Sequence, residues 1–103
     1  MGLNAKKFCS GADCAAALLK SLANAHRLMI LCRLHEEECS VGTLESFVEL
    51  NQSALSQHLA RLRKDGIVAT RREGQTIFYR IVNQDAVRII KELYALYCTT
   101  NRR

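Results

Sequence analysis

Apolar residues recur at helical spacing through the first two thirds of the chain, and the pattern then changes to one of strands. Asp13 is placed to cap a first helix over residues 13–23, where Ala15, Leu18, Leu19 and Leu22 share a face. Upstream, residues 1–11 contain Gly2 and Gly11 and show little periodicity. They read as a flexible N-terminal arm, which leaves 12–103 as one domain. Asn24 interrupts or caps the chain before a second helix, 25–36, with Leu28, Leu31 and Cys32 on one face and Met29, Ile30 and Leu34 beside them. Ser40 is an N-cap for a short third helix over 41–48, which exposes Glu45 and Glu49. Asn51 caps a fourth, 52–65, whose apolar stripe is Ala54, Leu55, Leu59 and Leu62, and Gly66 ends it.

After Gly66 the segments 67–72 and 76–82 are rich in β-branched and aromatic residues, and Glu73-Gly74-Gln75 between them predicts a hairpin turn. A last helix over 84–99 is apolar on most sides, with Val87, Ile89, Ile90, Leu93, Tyr94, Leu96 and Tyr97. A helix of that kind must be buried on most sides. In a chain of 103 residues the cover is expected from the same helix of a second subunit. The predicted architecture is therefore mainly α with a β-hairpin wing, in the order α1-α2-α3-α4-β-β-α5, a winged helix-turn-helix.

The net charge is +5, and its placement matters more than its size. Arg61, Arg63, Lys64, Arg71, Arg72 and Arg80 fall within one short stretch, opposed there by Asp65 and Glu73 alone. Clustered bases suit a polyanion, although a solvated surface produces clusters too. No apolar run approaches the length that spans a bilayer or forms a signal peptide, so a cytoplasmic protein without membrane contact is expected. Five cysteines do not make a secreted disulfide framework. There is no Cys-x-x-Cys, and no His/Asp constellation stands near a cysteine, so the chain reads as a non-enzyme that needs no cofactor.

The third and fourth helices with their short connection form a helix-turn-helix. A reading helix needs one apolar side to seat it and one polar side to reach base edges and phosphates. On the fourth helix Gln52, Ser53, Ser56, Gln57, His58, Arg61, Arg63 and Lys64 supply that side. In the hairpin Arg71, Arg72, Gln75 and Thr76 supply a basic wing near the tip. His58 either contacts DNA or caps local packing. The expected partner is double-stranded operator DNA.

These segments resemble the ArsR/SmtB family of winged-helix repressors. The likeness is carried by Leu22-Ala23-Asn24-Ala25-His26-Arg27-Leu28 with Ile30-Leu31, by Ser40-Val41-Gly42-Thr43-Leu44, and by Ser53-Ala54-Leu55-Ser56-Gln57-His58-Leu59. Leu62-Arg63, Gly66-Ile67-Val68 and Phe78-Tyr79 extend it, so that it covers about residues 13–98. The resemblance implies a homodimer joined through the first and last helices, and repression relieved by an inducer.

Both metal sites usual in that family lack donors here. Where metal-sensing members carry Cys-Val-Cys, this chain has Ser40-Val41-Gly42, with Cys39 one residue too early. Where others carry Asp-x-His and His-x-x-Glu on the last helix, it has Asp85-Ala86-Val87 and Cys98-Thr99-Thr100-Asn101. Cys32 in Ile30-Leu31-Cys32 and Cys98 in Leu96-Tyr97-Cys98 are instead similar to the HlyU, BigR and SqrR subgroup, which implies a thiol pair that senses reactive sulfur. Arg102 and Arg103 lie close enough in sequence to favour a Cys98 thiolate. Taken alone, Cys32 also fits a buried core cysteine. The alternative is a metalloid or zinc sensor using Cys9 and Cys14 with Cys98 or Cys39.

Overall fold

The computed structural model describes residues 5–98, with side chains from residue 11 onward. Its elements are α1 (Ala5–Leu22), α2 (Ala25–Glu36), β1 (Cys39–Ser40), α3 (Val41–Val48), α4 (Gln52–Lys64), β2 (Val68–Glu73), β3 (Thr76–Ile81) and α5 (Gln84–Tyr97). The winged helix-turn-helix order is the expected one, with a short extra strand.

The helix starts are set by side-chain oxygens that accept orphan backbone N–H groups. Asn24 accepts from the Arg27 amide, Ser40 from Thr43, Asn51 from Ala54 and Asn83 from Ala86. The first helix departs from expectation. It starts at Ala5, so Asp13 lies in its interior and residues 5–11, expected in the arm, are helical. Ala5, Lys6, Lys7 and Phe8 all tolerate helix, and one glycine at position 11 weakens a helix by only about 1 kcal/mol. At the other end of the chain α5 is described to Tyr97, and the expected extension to residue 99 lies outside the described residues.

A Schellman motif closes α4. The Gly66 amide bonds the Arg63 carbonyl at 3.1 Å and the Ile67 amide bonds the Leu62 carbonyl at 2.9 Å. Gly66 takes φ 76, a value that favours glycine. The hairpin turn narrows to two residues, with Gly74 at φ 65 and no positive φ at Gln75, the pattern of a II′ turn.

The sheet has strand order β1-β3-β2, antiparallel throughout. β1 contributes two residues, Cys39 opposite Tyr79 and Ser40 opposite Phe78. Two residues carry too little alternation to announce a strand. The core joins Ile30, Leu31 and Leu34 of α2, Leu44 and Val48 of α3, Leu55, Leu59 and Leu62 of α4, and Ala86 and Ile90 of α5, with Leu22, Cys39, Ile67 and Val68. Cys32 and Leu28 pack at its margin. Four large apolar residues of α1 and α5 remain in solvent: Leu19 is 55% exposed, Tyr94 48%, Leu96 41% and Tyr97 75%. Among the described residues no helix is long and apolar enough to cross a membrane.

Candidate nucleic-acid interface and thiol pair

Leu55, Leu59 and Leu62 seat α4 on the core, and 3.6-residue periodicity then decides what each polar neighbour can reach. Ser53, Gln57 and Lys64 stand opposite the buried stripe and are exposed, with the small Ala60 between them. Ser56, Ala60, Arg63 and Lys64 line a shallow hollow together with Tyr79 of β3, so this flank adjoins the wing. Gln52 is exposed at the start of the same helix.

The other flank faces the protein. His58 lies three residues after Leu55 and four before Leu62, so it shares the core side of the wheel. It is half-buried, with Nδ1 3.4 Å from an Arg27 guanidinium nitrogen and its ring 5.8 Å from that of His26. Burial, then Arg27, then His26 push its pKa below the ordinary histidine value. Of the two readings of His58, packing is the one its position matches. Arg61 stays exposed but lies on the side toward α1, with Nε 2.8 Å from Asp65 Oδ2. That same oxygen accepts the Ser21 hydroxyl at 2.5 Å. Ser21 holds the Asp65 carboxyl below the usual carboxylate range, and Arg61 adds to the effect. Arg27 completes the network by donating to the backbone oxygens of Ser21 (2.7 Å) and Lys20 (3.2 Å). The ends of α1 and α4 and the start of α2 are thereby joined through polar groups. Sequence reasoning missed this network, since its members are up to 44 residues apart.

In the wing the pleat separates two arginines that the sequence reading had treated alike. Arg71 is opposite Phe78 and Arg72 opposite Ile77, so their side chains leave opposite faces. Arg71 stacks over the Phe78 ring at 4.7 Å and holds Glu38 at 2.8 Å, with Glu73 at 3.7 Å. Its hydrogen bonds draw the Glu38 carboxyl below the ordinary range. Arg72 shares its face with Tyr79, the residue that borders the α4 flank. Gln75 and Thr76 are exposed at the tip. Period-two alternation was readable in the sequence; the position of Glu38 on the Arg71 side was not.

The two expected sensing cysteines occupy neighbouring elements. Cys32 is half-buried on α2, and Cys98 is exposed at the end of α5, where its amide bonds the Tyr94 carbonyl at 2.8 Å. Burial pushes the Cys32 thiol up, followed by the nearby Cys98 and Glu36. Both thiols are free. Cys39 is buried with its thiol on the Glu37 carbonyl at 3.3 Å, and burial raises its pKa. Cys14 is exposed on α1. The Cys9 side chain and Arg102 and Arg103 lie outside the described residues.

The donor set does not fit a resident metal at the family's usual positions. Ser40 spends its hydroxyl on the Thr43 amide, and Val41 and Gly42 offer no donor side chain. Among the described residues no group of three or more His, Cys, Asp or Glu is arranged to hold one.

Comparison with known proteins agrees with this architecture. Residues 24–70 match the model of a bacterial regulatory protein family, the arsR family. The transcriptional activator HlyU of Vibrio cholerae is 53% identical over 85% of this chain and 82% of its own length. A structure of reduced HlyU from that organism superimposes with a TM-score of 0.87 at 49% identity, over 91% of this chain and 99% of that one. A biofilm growth-associated repressor of Agrobacterium fabrum is 51% identical over 81% of this chain and 71% of its own. The homodimeric winged helix-turn-helix DNA-binding domain of a possible ArsR-family regulator from Mycobacterium bovis gives a TM-score of 0.77 at 30% identity, over 92% of this chain and 88% of that one.

Proposed function

This chain belongs to the ArsR family of bacterial regulatory proteins, and from that membership we propose that it is a homodimeric repressor of duplex DNA, released when sulfur bridges Cys32 and Cys98. Transcriptional regulation and repression follow from its relatives and the dimer from its homodimeric neighbour, while the thiol switch is proposed.

The DNA-facing surface is Ser53, Gln57 and Lys64 along the outer face of α4, with Gln52, Ser56 and Arg63 on the wing side and Arg72, Gln75 and Thr76 on the wing. Gln57 has the shape to pair with a base edge, and the arginines and lysine neutralise phosphates. Dimerisation is supported by the uncovered Leu19, Tyr94, Leu96 and Tyr97 and by the homodimeric neighbour. Two copies of α4 would then read two half-sites.

One observation carries the switch: Cys32 of α2 shares a groove with Ile90 and Tyr94 of α5, and Cys98 caps α5 one turn beyond Tyr94. A thiolate of the pair attacks the sulfane sulfur of a persulfide RS–SH. The new bond makes Cys–S–SH, the S–S bond of the donor breaks, and RS⁻ leaves and takes up the proton that the cysteine gave up on ionising. The second thiolate attacks the sulfur bound to the first cysteine and expels HS⁻, giving a disulfide. The two thiols are oxidised and the sulfane sulfur is reduced to sulfide. If both cysteines are persulfidated first, the same displacement of HS⁻ leaves a trisulfide, which reaches further than a disulfide. The similarity to a structure of reduced HlyU supports a role for redox state. Since α5 lies at the proposed dimer face and α2 against α4, a bond between them couples the interface to the reading helix. Loosening DNA 100-fold takes about 2.7 kcal/mol of coupling, within the ordinary range.

The test uses the reduced full-length protein and a DNA fragment that it selects from a random library. Cys32→Ser and Cys98→Ser proteins should bind that fragment normally and should not release it on persulfide treatment. Joint replacement of Cys9, Cys14 and Cys39 by Ser should leave release intact. Normal release from the Cys32→Ser, Cys98→Ser double variant would end the reading, and loss of release on removing Cys9 and Cys14 would favour the N-terminal thiols.

A further inference from the structure

The face of the wing turned away from Arg72 carries an arginine that is already engaged on every nitrogen. Arg71 starts on β2, lies over the Phe78 ring of the central strand β3 at 4.7 Å, and ends on Glu38, the residue before β1. Its Nε is 2.9 Å from each Glu38 carboxylate oxygen, and one terminal nitrogen is 2.8 Å from Oε1. The other terminal nitrogen faces Glu73 at 3.7 Å. The fold holds Glu38 in place for this. It is the last of three successive acids, of which Glu36 and Glu37 turn to Arg33 and keep side chains 64% and 67% exposed, against 27% for Glu38. Cys39, next in the chain, is buried and paired with Tyr79 of β3, which fixes Glu38 at the edge of the sheet. The Arg71 hydrogen bonds, aided by the charges of Arg71 and Arg80, hold the Glu38 carboxyl below its ordinary range, so the pair is fully charged at neutral pH. Among the described residues, Arg63 and Lys64 on the α4 flank and Arg72 on the other face of the wing make no ion pair.

We propose that Glu38 is an internal stand-in for a DNA phosphate, which holds Arg71 back from the duplex and so limits the strength with which the wing grips any sequence. The proposal rests on the duplex-DNA reading above and is independent of the thiol switch. Chemistry is the first argument. The arginine fork meets carboxylate and phosphate with the same paired geometry, so an acid that fills the fork excludes a phosphate from it. Reach is the second. Arg71 is one residue from Arg72, about 3.8 Å away at the Cα atoms, and leaves the opposite face of the hairpin. Phosphates line both walls of a DNA groove, so a wing that sets Arg72 against one strand turns its other face toward the second. Competition is the third. The pair with Glu38 is already ordered, whereas a phosphate has to displace the carboxylate and draw the guanidinium off Phe78. A phosphate contact carries no sequence information, so Glu38 sets how tightly all duplexes are held and not which one is chosen.

The experiment titrates a random-sequence duplex with the reduced full-length protein by fluorescence anisotropy over a range of salt concentrations. Glu38→Ala should tighten binding by roughly three- to tenfold near 0.1 M salt and steepen the salt slope by about one, the mark of one added phosphate contact. Glu38→Gln, which keeps the size of the side chain, should act in the same direction. The control is the Arg71→Ala background, where Glu38→Ala removes the same negative charge and frees no cation. There the slope should stay as it is in Arg71→Ala alone. A slope that steepens equally in that background would mean the carboxylate repels DNA directly, and an unchanged or weaker grip in both Glu38 variants would mean it only supports the wing; each overturns the proposal. A slope lowered by Arg71→Ala alone would place Arg71 on DNA already and overturn it too. If the unaltered protein binds no duplex in a salt-dependent way, the DNA reading fails and the proposal fails with it.

Discussion

The Ser21 hydroxyl donates to Asp65 Oδ2 at 2.5 Å, fastening the last turn of α1 to the residue that caps α4. Ser21 is 3% exposed, so its hydroxyl has little recourse to water if the carboxylate is lost. Ser21→Ala is expected to destabilise the protein by about 1–2 kcal/mol, since a hydrogen bond to a charged group is lost from a buried position. Arg61→Ala removes an exposed i,i+4 pair with the same carboxylate and should cost only a few tenths of a kcal/mol. Urea unfolding at fixed protein concentration measures both. A larger effect from Arg61 than from Ser21 would reverse this ranking.

His58 introduces a pH dependence of defined sign. Its folded-state pKa is lowered, by burial first and then by Arg27 and His26, so the fold favours the neutral ring. The associated stability is complete above the ordinary histidine pKa and is lost as pH falls through the lowered value. Arg27 and His26 oppose a charge on His58, and Arg27 in turn faces Arg61 and Asp65. Thermal melts at constant ionic strength from neutral to mildly acid pH should fall less steeply for His58→Asn, which keeps an acceptor and does not titrate. Identical slopes in the two proteins would remove His58 from the account.

Arg71 and Arg72 should differ although they are adjacent. Arg72→Ala is predicted to weaken binding to all duplexes alike and to reduce the salt slope by about one. Arg71→Ala removes the partner of Glu38 and the cover of Phe78, so its effect should appear in amide exchange of β2 and β3, with the salt slope kept. Titrations over a range of salt concentrations separate the two outcomes, and a slope change confined to Arg71 would mean the faces are assigned the wrong way round.

Gln57 stands on the outer face of α4, where a side chain meets base edges in the proposed complex. Gln57→Ala should cost about 1–3 kcal/mol on the selected DNA and much less on random duplex. Equal losses on the two would make it a phosphate contact.

Glu49 ends α3 at φ 56, a left-handed conformation in a residue with a side chain. Glu49→Gly should stabilise the protein by about 0.5–1 kcal/mol, because the relief of strain exceeds the entropy of the more flexible unfolded chain. A destabilised variant in chemical unfolding would show that the carboxylate has a role outweighing the strain.

What the sequence determined by itself was local and repetitive. Periods of 3.6 and 2 placed α2 to α5 and the hairpin, and Ser40, Asn51 and Gly66 marked helix ends, because those signals depend on neighbours within four or five residues. The same locality misled at Asp13: a good capping residue does not start a helix when the residues before it also favour one. Tertiary structure decided what lay across the chain. It turned His58 and Arg61 toward α1 and α2, gave Arg71 to Glu38, and left Arg72 on the hairpin face that carries Tyr79. It also placed Cys32 beside Ile90 and Tyr94 of α5 and, by half-burying it, raised its pKa. A side chain's type and spacing state which face of its own element it occupies. What faces it depends on the packing of that element against others, and partners separated by 33 or 44 residues, such as Glu38 with Arg71 and Ser21 with Asp65, leave no periodic trace.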